Sequence, residues 1–145
     1  MAVYLDSSAL VKRYVKEPGS REMKRLFGGG EALLVSAIGW AECLAALSRK
    51  RHDGTLSVRS HDRACEALSD EWKSMNEIAV TSEIHQSVRD LLSQAPLRGM
   101  DAIHLASALW AERRLEESLP FYCSERKLAA AARALGFAVV DPAEV

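Results

Sequence analysis

Short apolar runs alternate with helical segments along the whole chain, and this alternation limits the possible folds more than any other feature. The runs predict strands at Val3–Leu5, Ala32–Val35, Ile78–Val80, Phe121–Cys123 and Phe137–Val140. Because these runs are brief and uniformly apolar, they fit strands that are buried on both faces. The sequence therefore predicts an α/β fold of three layers, in which helices cover both faces of a mainly parallel sheet of about five strands.

Helical periodicity fills the intervals between the runs. It predicts helices at Ser8–Val15, Ser20–Phe27, Ser36 to about Arg51, Thr55 to about Met75, Ser82 to the residue before Pro96, Met100–Glu117 and Glu125–Leu135. Ser20 and Ser36 have the side chains of helix N-caps. No linker, repeat or low-complexity segment interrupts the 145 residues, so we expect a single domain over residues 1–145.

Composition narrows the environment in which this fold works. No stretch of 18 apolar residues occurs, and the N-terminal segment lacks a secretion signal, so we expect a cytoplasmic protein without a membrane span. Cys43, Cys65 and Cys123 are few, odd in number and widely spaced, which argues against a disulfide scaffold or a structural zinc site. The formal net charge of −1 neither requires nor excludes a nucleic-acid partner.

Acidic residues follow three of the predicted strands. Asp6 comes directly after the first strand, Glu125 lies just after the fourth, and Asp141 follows the fifth. In open parallel sheets, sites form outside the carboxyl ends of the strands. These acids are therefore candidates for a shared site.

Two more acids lie on apolar helical faces. Glu42 is in "SAIGWAECLAAL" and Asp101 is in "GMDAIHLASALW". A buried carboxylate without a partner is unfavourable by several kcal/mol, so each of them requires one.

Separate explanations exist for each acid. Asp6 or Ser7 could cap the first helix, Asp101 could interact with its helix dipole, Glu42 could pair with Arg49, and Glu125 could be a first-turn acid of the last helix. One explanation covers all four: they converge and hold a hard divalent cation, Mg²⁺ or Mn²⁺, which prefers oxygen ligands.

Several other sites are excluded by the sequence. The segment "DSSALV" has no glycine, which rules out a dinucleotide-binding turn or a P-loop after the first strand. No G-x-S-x-G occurs, so the usual hydrolase elbow is absent. Ser8 stands where haloacid-dehalogenase-like phosphatases carry a second acid, and the acid pattern of response-regulator receivers does not fit well.

Four segments together resemble a known family. In order and spacing, "VYLDSSALVKRYVKEPGS", "SAIGWAECLAAL", "LRGMDAIHLASAL" and "YCSERKLAAAARALGF" are similar to the PIN-domain ribonucleases, specifically the toxins of bacterial VapBC toxin–antitoxin pairs. The resemblance runs from Val3 to Asp141. It implies a PIN-like fold and an endoribonuclease toxin that uses Mg²⁺ or Mn²⁺ and is neutralised by a cognate antitoxin.

The resemblance also implies a set of site residues. Asp6, Glu42 and Asp101 match the three nearly invariant metal-binding acids, and Glu125 matches a fourth position at which the family usually has Asp. Ser8 matches a hydroxyl that commonly follows the first acid, while Cys123 and Ser124 stand where the family often has Thr or Ser. Family members are commonly homodimers, and the segment Val11–Leu26 is a plausible docking surface for an antitoxin.

Other residues have two interpretations each. Lys12, Arg98 and Arg126 are candidate contacts for RNA phosphates or ordinary surface charges. His104, three residues after Asp101, is a core histidine or a residue that supports the site. His61 and Cys65 lie one helical turn apart and could form a pair of metal ligands, but two such residues alone are weak evidence for a metal site.

The remaining sequence evidence concerns aromatic residues and the alternative functions. Trp40, Trp72 and Trp110 lie on apolar faces that favour packing over base stacking. Two alternatives stay open: a nuclease with the same site that acts on DNA or structured junctions, and a catalytically weak PIN-like binding module, which the unusual Glu125 suggests.

Overall fold

A computed structural model describes all 145 residues and contains one sheet of five strands, every pair of which is parallel. The strands are β1 (Ala2–Leu5), β2 (Ala32–Ser36), β3 (Asn76–Ile78), β4 (Phe121–Tyr122) and β5 (Val139–Val140), in the order β3-β2-β1-β4-β5. The predicted fold class is confirmed, and the sheet is parallel throughout. The first strand of the chain is therefore the central strand of the sheet.

Seven helices surround the sheet. They are α1 (Ser7–Leu10), α2 (Ser20–Phe27), α3 (Ile38–His52), α4 (Val58–Trp72), α5 (Ser82–Gln94), α6 (Gly99–Leu115) and α7 (Arg126–Ala134), with 3₁₀ turns at Val11–Arg13 and Pro142–Glu144. Each predicted helix exists. The first is shorter than predicted, because the chain tightens after Leu10 into a 3₁₀ turn closed by a hydrogen bond from the Tyr14 N–H to the Val11 carbonyl.

Some predicted boundaries and caps are wrong. Ser20 does not cap α2; Gly19 does, with φ of 102°, and the Ser20 hydroxyl donates to the Val15 carbonyl instead. Ser36 is the last residue of β2 and Ala37 is the N-cap of α3, although the Ser36 hydroxyl accepts from the Ile38 N–H at 3.3 Å. Helix α4 begins at Val58 behind a Ser57 cap, three residues later than predicted.

The third strand is displaced toward the N-terminus from its predicted position. It spans Asn76–Ile78, because pairing with β2 sets Asn76 opposite Leu34 and Ile78 opposite Ser36. Because β3 is an edge strand, it tolerates exposed polar residues. Such residues are not part of the apolar pattern from which the strand is predicted.

Two clusters of buried side chains lie on opposite faces of the sheet. Successive residues of β1 alternate between them: Tyr4 belongs to the cluster under α5, α6 and α7, whereas Val3 and Leu5 belong to the cluster under α2, α3 and α4. Tyr4 stacks on Phe121 with 5.2 Å between the ring centroids. The three predicted layers are therefore present.

The tryptophans pack as predicted. Trp40 and Trp72 meet edge to face with 5.4 Å between their centroids, and both lie against the cluster under α2, α3 and α4. Trp110 lies against the other cluster. None of the helices combines the length and the apolar character that crossing a bilayer requires.

Candidate active site

The four predicted acids line one cavity of about 730 Å³ beyond the carboxyl end of β1. Asp6 follows β1, Glu42 projects from α3, Asp101 lies in the first turn of α6, and Glu125 precedes α7. Ser8, Ser124, Lys12 and Arg98 line the same cavity. Arg126 does not; it lines a neighbouring cavity of about 580 Å³ between α7 and β5.

Asp6 is the most deeply buried of these acids. It is 3% exposed, and its Oδ1 accepts hydrogen bonds from the Ser8 hydroxyl at 2.7 Å and from the Ala9 N–H at 3.1 Å. The second bond makes Asp6 the N-cap of α1, so the capping interpretation is correct for Asp6 rather than for Ser7. Burial raises the pKa of Asp6, and the nearby His104 and the hydrogen bonds only partly oppose this.

Glu42 is held by two side chains from other elements. Its Oε1 accepts hydrogen bonds from the Ser7 hydroxyl and from His104 Nε2, the latter at 2.6 Å. Arg49, the partner suggested by the sequence, does not pair with it. Burial alone would raise the pKa of Glu42, but the hydrogen bonds from His104 and Ser7 outweigh burial and lower it.

Asp101 and Glu125 each have a local partner. Asp101 Oδ2 accepts a hydrogen bond from Arg98 Nε at 3.2 Å, and the Arg98 side chain is 75% exposed. Glu125 Oε2 accepts from the Leu128 N–H at 2.6 Å, so its carboxylate caps α7. The capping of α7 therefore engages one carboxylate oxygen of Glu125.

The two predicted supporting serines connect β1 to β4 and β5. The Ser8 hydroxyl donates to Asp6 and accepts from the Ser124 N–H at 2.9 Å. The Ser124 hydroxyl donates to Asp141 Oδ1 at 2.7 Å. Asp141, the acid after β5, is thus engaged with Ser124 and with the final 3₁₀ turn, which it caps.

His104 is both a core residue and a neighbour of the acids. It is 2% exposed, its Nδ1 lies 2.8 Å from the Tyr4 hydroxyl, and its Nε2 lies 2.6 Å from Glu42. Ser7 Oγ also lies 3.4 Å from Nε2. Because the Nε2 hydrogen points to the Glu42 carboxylate, Nε2 cannot accept the Ser7 proton, and the three residues do not form a nucleophilic triad.

A basic flank borders the acids on the α3 side. Glu17 accepts from Lys12 Nζ at 3.3 Å and from Lys50 Nζ at 3.2 Å, so one carboxylate fixes two ammonium groups at the cavity wall. The sequence interpretation missed Glu17, Lys50 and Ser7. Lys50 lies eight residues after Glu42, close to the same face of α3, and this spacing is a signal that could have found it.

The donor atoms suit a hard divalent cation. All four acids offer carboxylate oxygens, and the hydrogen bonds to Glu42 and Asp101 engage only one oxygen of each. As the side chains stand, no three acids, histidines or cysteines are close enough to hold one ion. The residues fit the cation in their chemistry, although their side chains do not converge on one point.

The His61 and Cys65 pair has no further ligand. Nε2 and Sγ lie 3.5 Å apart on α4, and no third histidine, cysteine or acid completes a metal site there. Two side chains one helical turn apart do not form a zinc site.

Comparison with known proteins gives consistent results. The PIN domain family matches residues 3–117 of this chain. The chain is 35% identical to Ribonuclease VapC45 of Mycobacterium tuberculosis over 107 residues, which cover 74% of both proteins. It is 34% identical to Ribonuclease VapC46 of the same organism over 145 residues, which cover 97% of this chain and 98% of the relative.

A solved structure shares the fold at low sequence identity. It is a toxin–antitoxin complex from Klebsiella pneumoniae, one chain of which has a TM-score of 0.67 and 19% identity, with 97% of this chain and 98% of that chain covered.

Proposed function

This chain belongs to the PIN-domain family, alongside the VapC ribonucleases, and on that premise we propose that it is a metal-dependent endoribonuclease and the toxin of a toxin–antitoxin pair. The activity is hydrolysis of RNA phosphodiester bonds. The observation that carries this proposal is the meeting of Asp6, Glu42 and Asp101 in one cavity, although they lie far apart in sequence and on three different elements.

A cation is required because these acids alone would repel a phosphate. We propose that Asp6, Glu42 and Asp101 hold Mg²⁺ or Mn²⁺, with Glu125 at the margin. A bound cation would neutralise the acids, attract phosphate oxygens and lower the pKa of a water molecule.

The residues of the chain would contribute by binding and orientation. Ser8 fixes Asp6 through a hydrogen bond of 2.7 Å and ties it to the Ser124 backbone. We expect Lys12 and Arg98, which line the cavity together with the acids, to contact phosphates next to the cleaved bond, with Lys50 held beside Lys12 by Glu17. Arg126 is proposed for a more distant phosphate, because it lies outside this cavity.

An antitoxin is the second expected partner. The 3₁₀ turn at Val11–Arg13 and the residues after it border a groove of about 460 Å³ against α4. At its edge Arg13 forms two hydrogen bonds with Glu71 and lies over the Phe27 ring. This supports the segment Val11–Leu26 as docking surface, and we also propose a homodimer.

We propose a cytoplasmic location for the protein. All three cysteines are free thiols, as a reducing compartment favours. An RNA substrate and a protein antitoxin would be found in the same compartment.

The central test compares acid variants with a matched control. Asp6→Asn and Asp101→Asn should abolish cleavage of an RNA oligonucleotide in Mn²⁺ or Mg²⁺, and EDTA should do the same to the wild type. Asp70→Asn, at a side chain that is 79% exposed and does not line the cavity, should cleave normally. Full activity of the two site variants, or cleavage in EDTA, would remove the metal site from the mechanism.

Substrate and partner need separate measurements. A DNA oligonucleotide of the same sequence should stay intact under these conditions, and its preferential cleavage would support a DNA nuclease instead. Expression should arrest growth, and co-expression of the cognate antitoxin should relieve the arrest. Light scattering measures whether the free protein is a dimer.

A further inference from the structure

We propose that His104 is a positioning residue, which holds Glu42 by Oε1 and thereby leaves Oε2 available to a cation. This inference rests on the proposed function, because it takes Glu42 as a metal ligand. It explains how the Glu42 carboxylate is held in place. The match of the acids to those of the family does not explain this.

The first observation is the position of His104 between the core and the site. Its ring is 2% exposed and spans from the Tyr4 hydroxyl, 2.8 Å from Nδ1, to Glu42 Oε1, 2.6 Å from Nε2. Tyr4 is fully buried and stacks on Phe121 in the centre of the sheet. The histidine thus connects an acid at the cavity to one of the most firmly packed side chains in the molecule.

The second observation concerns the direction of each hydrogen bond. A carboxylate can only accept, so Nε2 carries the hydrogen that is donated to Glu42. In the neutral imidazole, Nδ1 is then the acceptor of the Tyr4 hydroxyl. The Glu42 carboxylate therefore selects the tautomer of His104, and the Tyr4 hydroxyl, which can donate or accept, matches it by donating to Nδ1.

The third observation is the unequal use of the two carboxylate oxygens. Oε1 of Glu42 accepts from both His104 and Ser7, whereas Oε2 makes no hydrogen bond within the chain. Two donors on one oxygen fix the rotation of the carboxylate. The other oxygen is left available to a ligand.

A pair of substitutions separates this role from simple packing. In His104→Gln the amide nitrogen can replace Nε2 and donate to Glu42, while in His104→Asn the shorter amide replaces Nδ1 and reaches only Tyr4. Both remove the ring, and the Asn variant leaves a gap that is larger by one methylene group. They differ in whether Glu42 keeps its donor.

The primary measurement is Mn²⁺ binding by calorimetry, without RNA. His104→Asn should weaken binding by about 10- to 100-fold, the usual effect of removing a group that orients a metal ligand, whereas His104→Gln should stay within about 3-fold of the wild type. In cleavage assays the Asn variant should need correspondingly more Mn²⁺ and recover activity when Mn²⁺ is saturating. A role in packing alone would lower the melting temperature of both variants and leave Mn²⁺ affinity unchanged.

Each outcome has a definite meaning. Equal Mn²⁺ affinity in the two variants would overturn the positioning role. If the wild type takes up no Mn²⁺ that Asp6→Asn abolishes, the proposed function itself fails. If His104→Asn does not fold, Tyr4→Phe serves instead: it should weaken Mn²⁺ binding about fivefold, the value of one hydrogen bond, and unchanged affinity would contradict the proposal.

Discussion

The carboxyl end of β1 and the cavity face of α3 each bring one carboxylate to the site, but the surroundings of the two acids differ. Asp6, at the end of β1, is almost completely buried, and its own helix supplies its hydrogen-bond donors. Glu42, on α3, is half-buried and accepts hydrogen bonds from Ser7 of α1 and His104 of α6. Burial dominates for Asp6 and raises its pKa, whereas the donors dominate for Glu42 and lower its pKa.

This contrast shows that the two acids of one site affect folding in opposite directions. The ionised form of Asp6 is unfavourable in the folded chain, so a cation would relieve an existing cost there. The ionised form of Glu42 is already stabilised by His104 and Ser7. The site therefore combines one acid whose ionisation is unfavourable in the metal-free fold with another whose ionisation is favourable there.

The largest effect should be the same for both acids. Glu42→Gln should reduce RNA cleavage by about 100-fold or more, as Asp6→Asn should. Each substitution removes a negative charge that holds the cation, and the cation balances the negative charge that develops on the phosphate. Initial rates over a range of Mn²⁺ concentrations measure this. A Glu42→Gln variant as active as the Asp70→Asn control would break the parallel between the two acids.

The substitutions at the two acids should differ in their effect on stability, although their effect on activity is the same. In metal-free protein near neutral pH, Asp6→Asn should raise the melting temperature and Glu42→Gln should lower it, each by about 2–5 °C, which corresponds to roughly 1 kcal/mol in a chain of this size. Asn keeps the Oδ1 acceptor that caps α1, while an amide nitrogen replaces Oδ2, which lies 3.0 Å from the Ser8 hydroxyl. Scanning calorimetry in EDTA measures both, and shifts of the same sign would contradict the contrast.

Acidification should diminish both differences. The pKa of Asp6 is raised on folding, so its ionised form destabilises the fold above that pKa, and this cost vanishes once the pH is below the unfolded value of about 4. The pKa of Glu42 is lowered, so its contribution is present above the unfolded value and is lost as the pH falls through the folded value.

The measurement is urea unfolding of each variant and the wild type at several pH values. The stabilisation by Asp6→Asn and the destabilisation by Glu42→Gln should both be greatest near neutral pH. A difference that grows on acidification would show that the sign of the corresponding pKa shift is wrong.

The smallest effect is expected at Glu125, where one carboxylate oxygen caps α7. Glu125→Asp keeps an acid that can cap, so cleavage should change by no more than about threefold. Glu125→Ala should cost about 0.5–2 kcal/mol of unfolding free energy through loss of the cap. A strong rise in the cleavage rate of Glu125→Asp would show instead that this longer acid limits the native site.

The sequence was sufficient for the fold class and for the positions of the acids. Apolar runs mark β1, β2 and β4 because these strands are buried, and an acid at the end of a strand or on an apolar helical face is conspicuous. The edge strand β3 was misplaced, because its register is set by hydrogen bonds to β2 rather than by its own side chains.

The partners of the acids were harder to predict. Ser7 and His104 are 97 residues apart and meet only because α1 and α6 pack at the same end of the sheet. Helical spacing made Arg49 a reasonable local partner for Glu42. In the structure, Ser7 and His104 donate to Glu42 instead. Glu125 was interpreted as a first-turn acid, whereas α7 begins one residue later and Glu125 is its N-cap.

The central position of β1 has a consequence for the synthesis of the protein. The Asp6 N–H donates to the Tyr122 carbonyl at 3.1 Å, so the backbone of this acid gains its full support only after residue 122 has left the ribosome. A nascent chain that stops short of β4 lacks one neighbour of its first strand. The support of Asp6 is thus completed late in synthesis, once β4 has paired with β1.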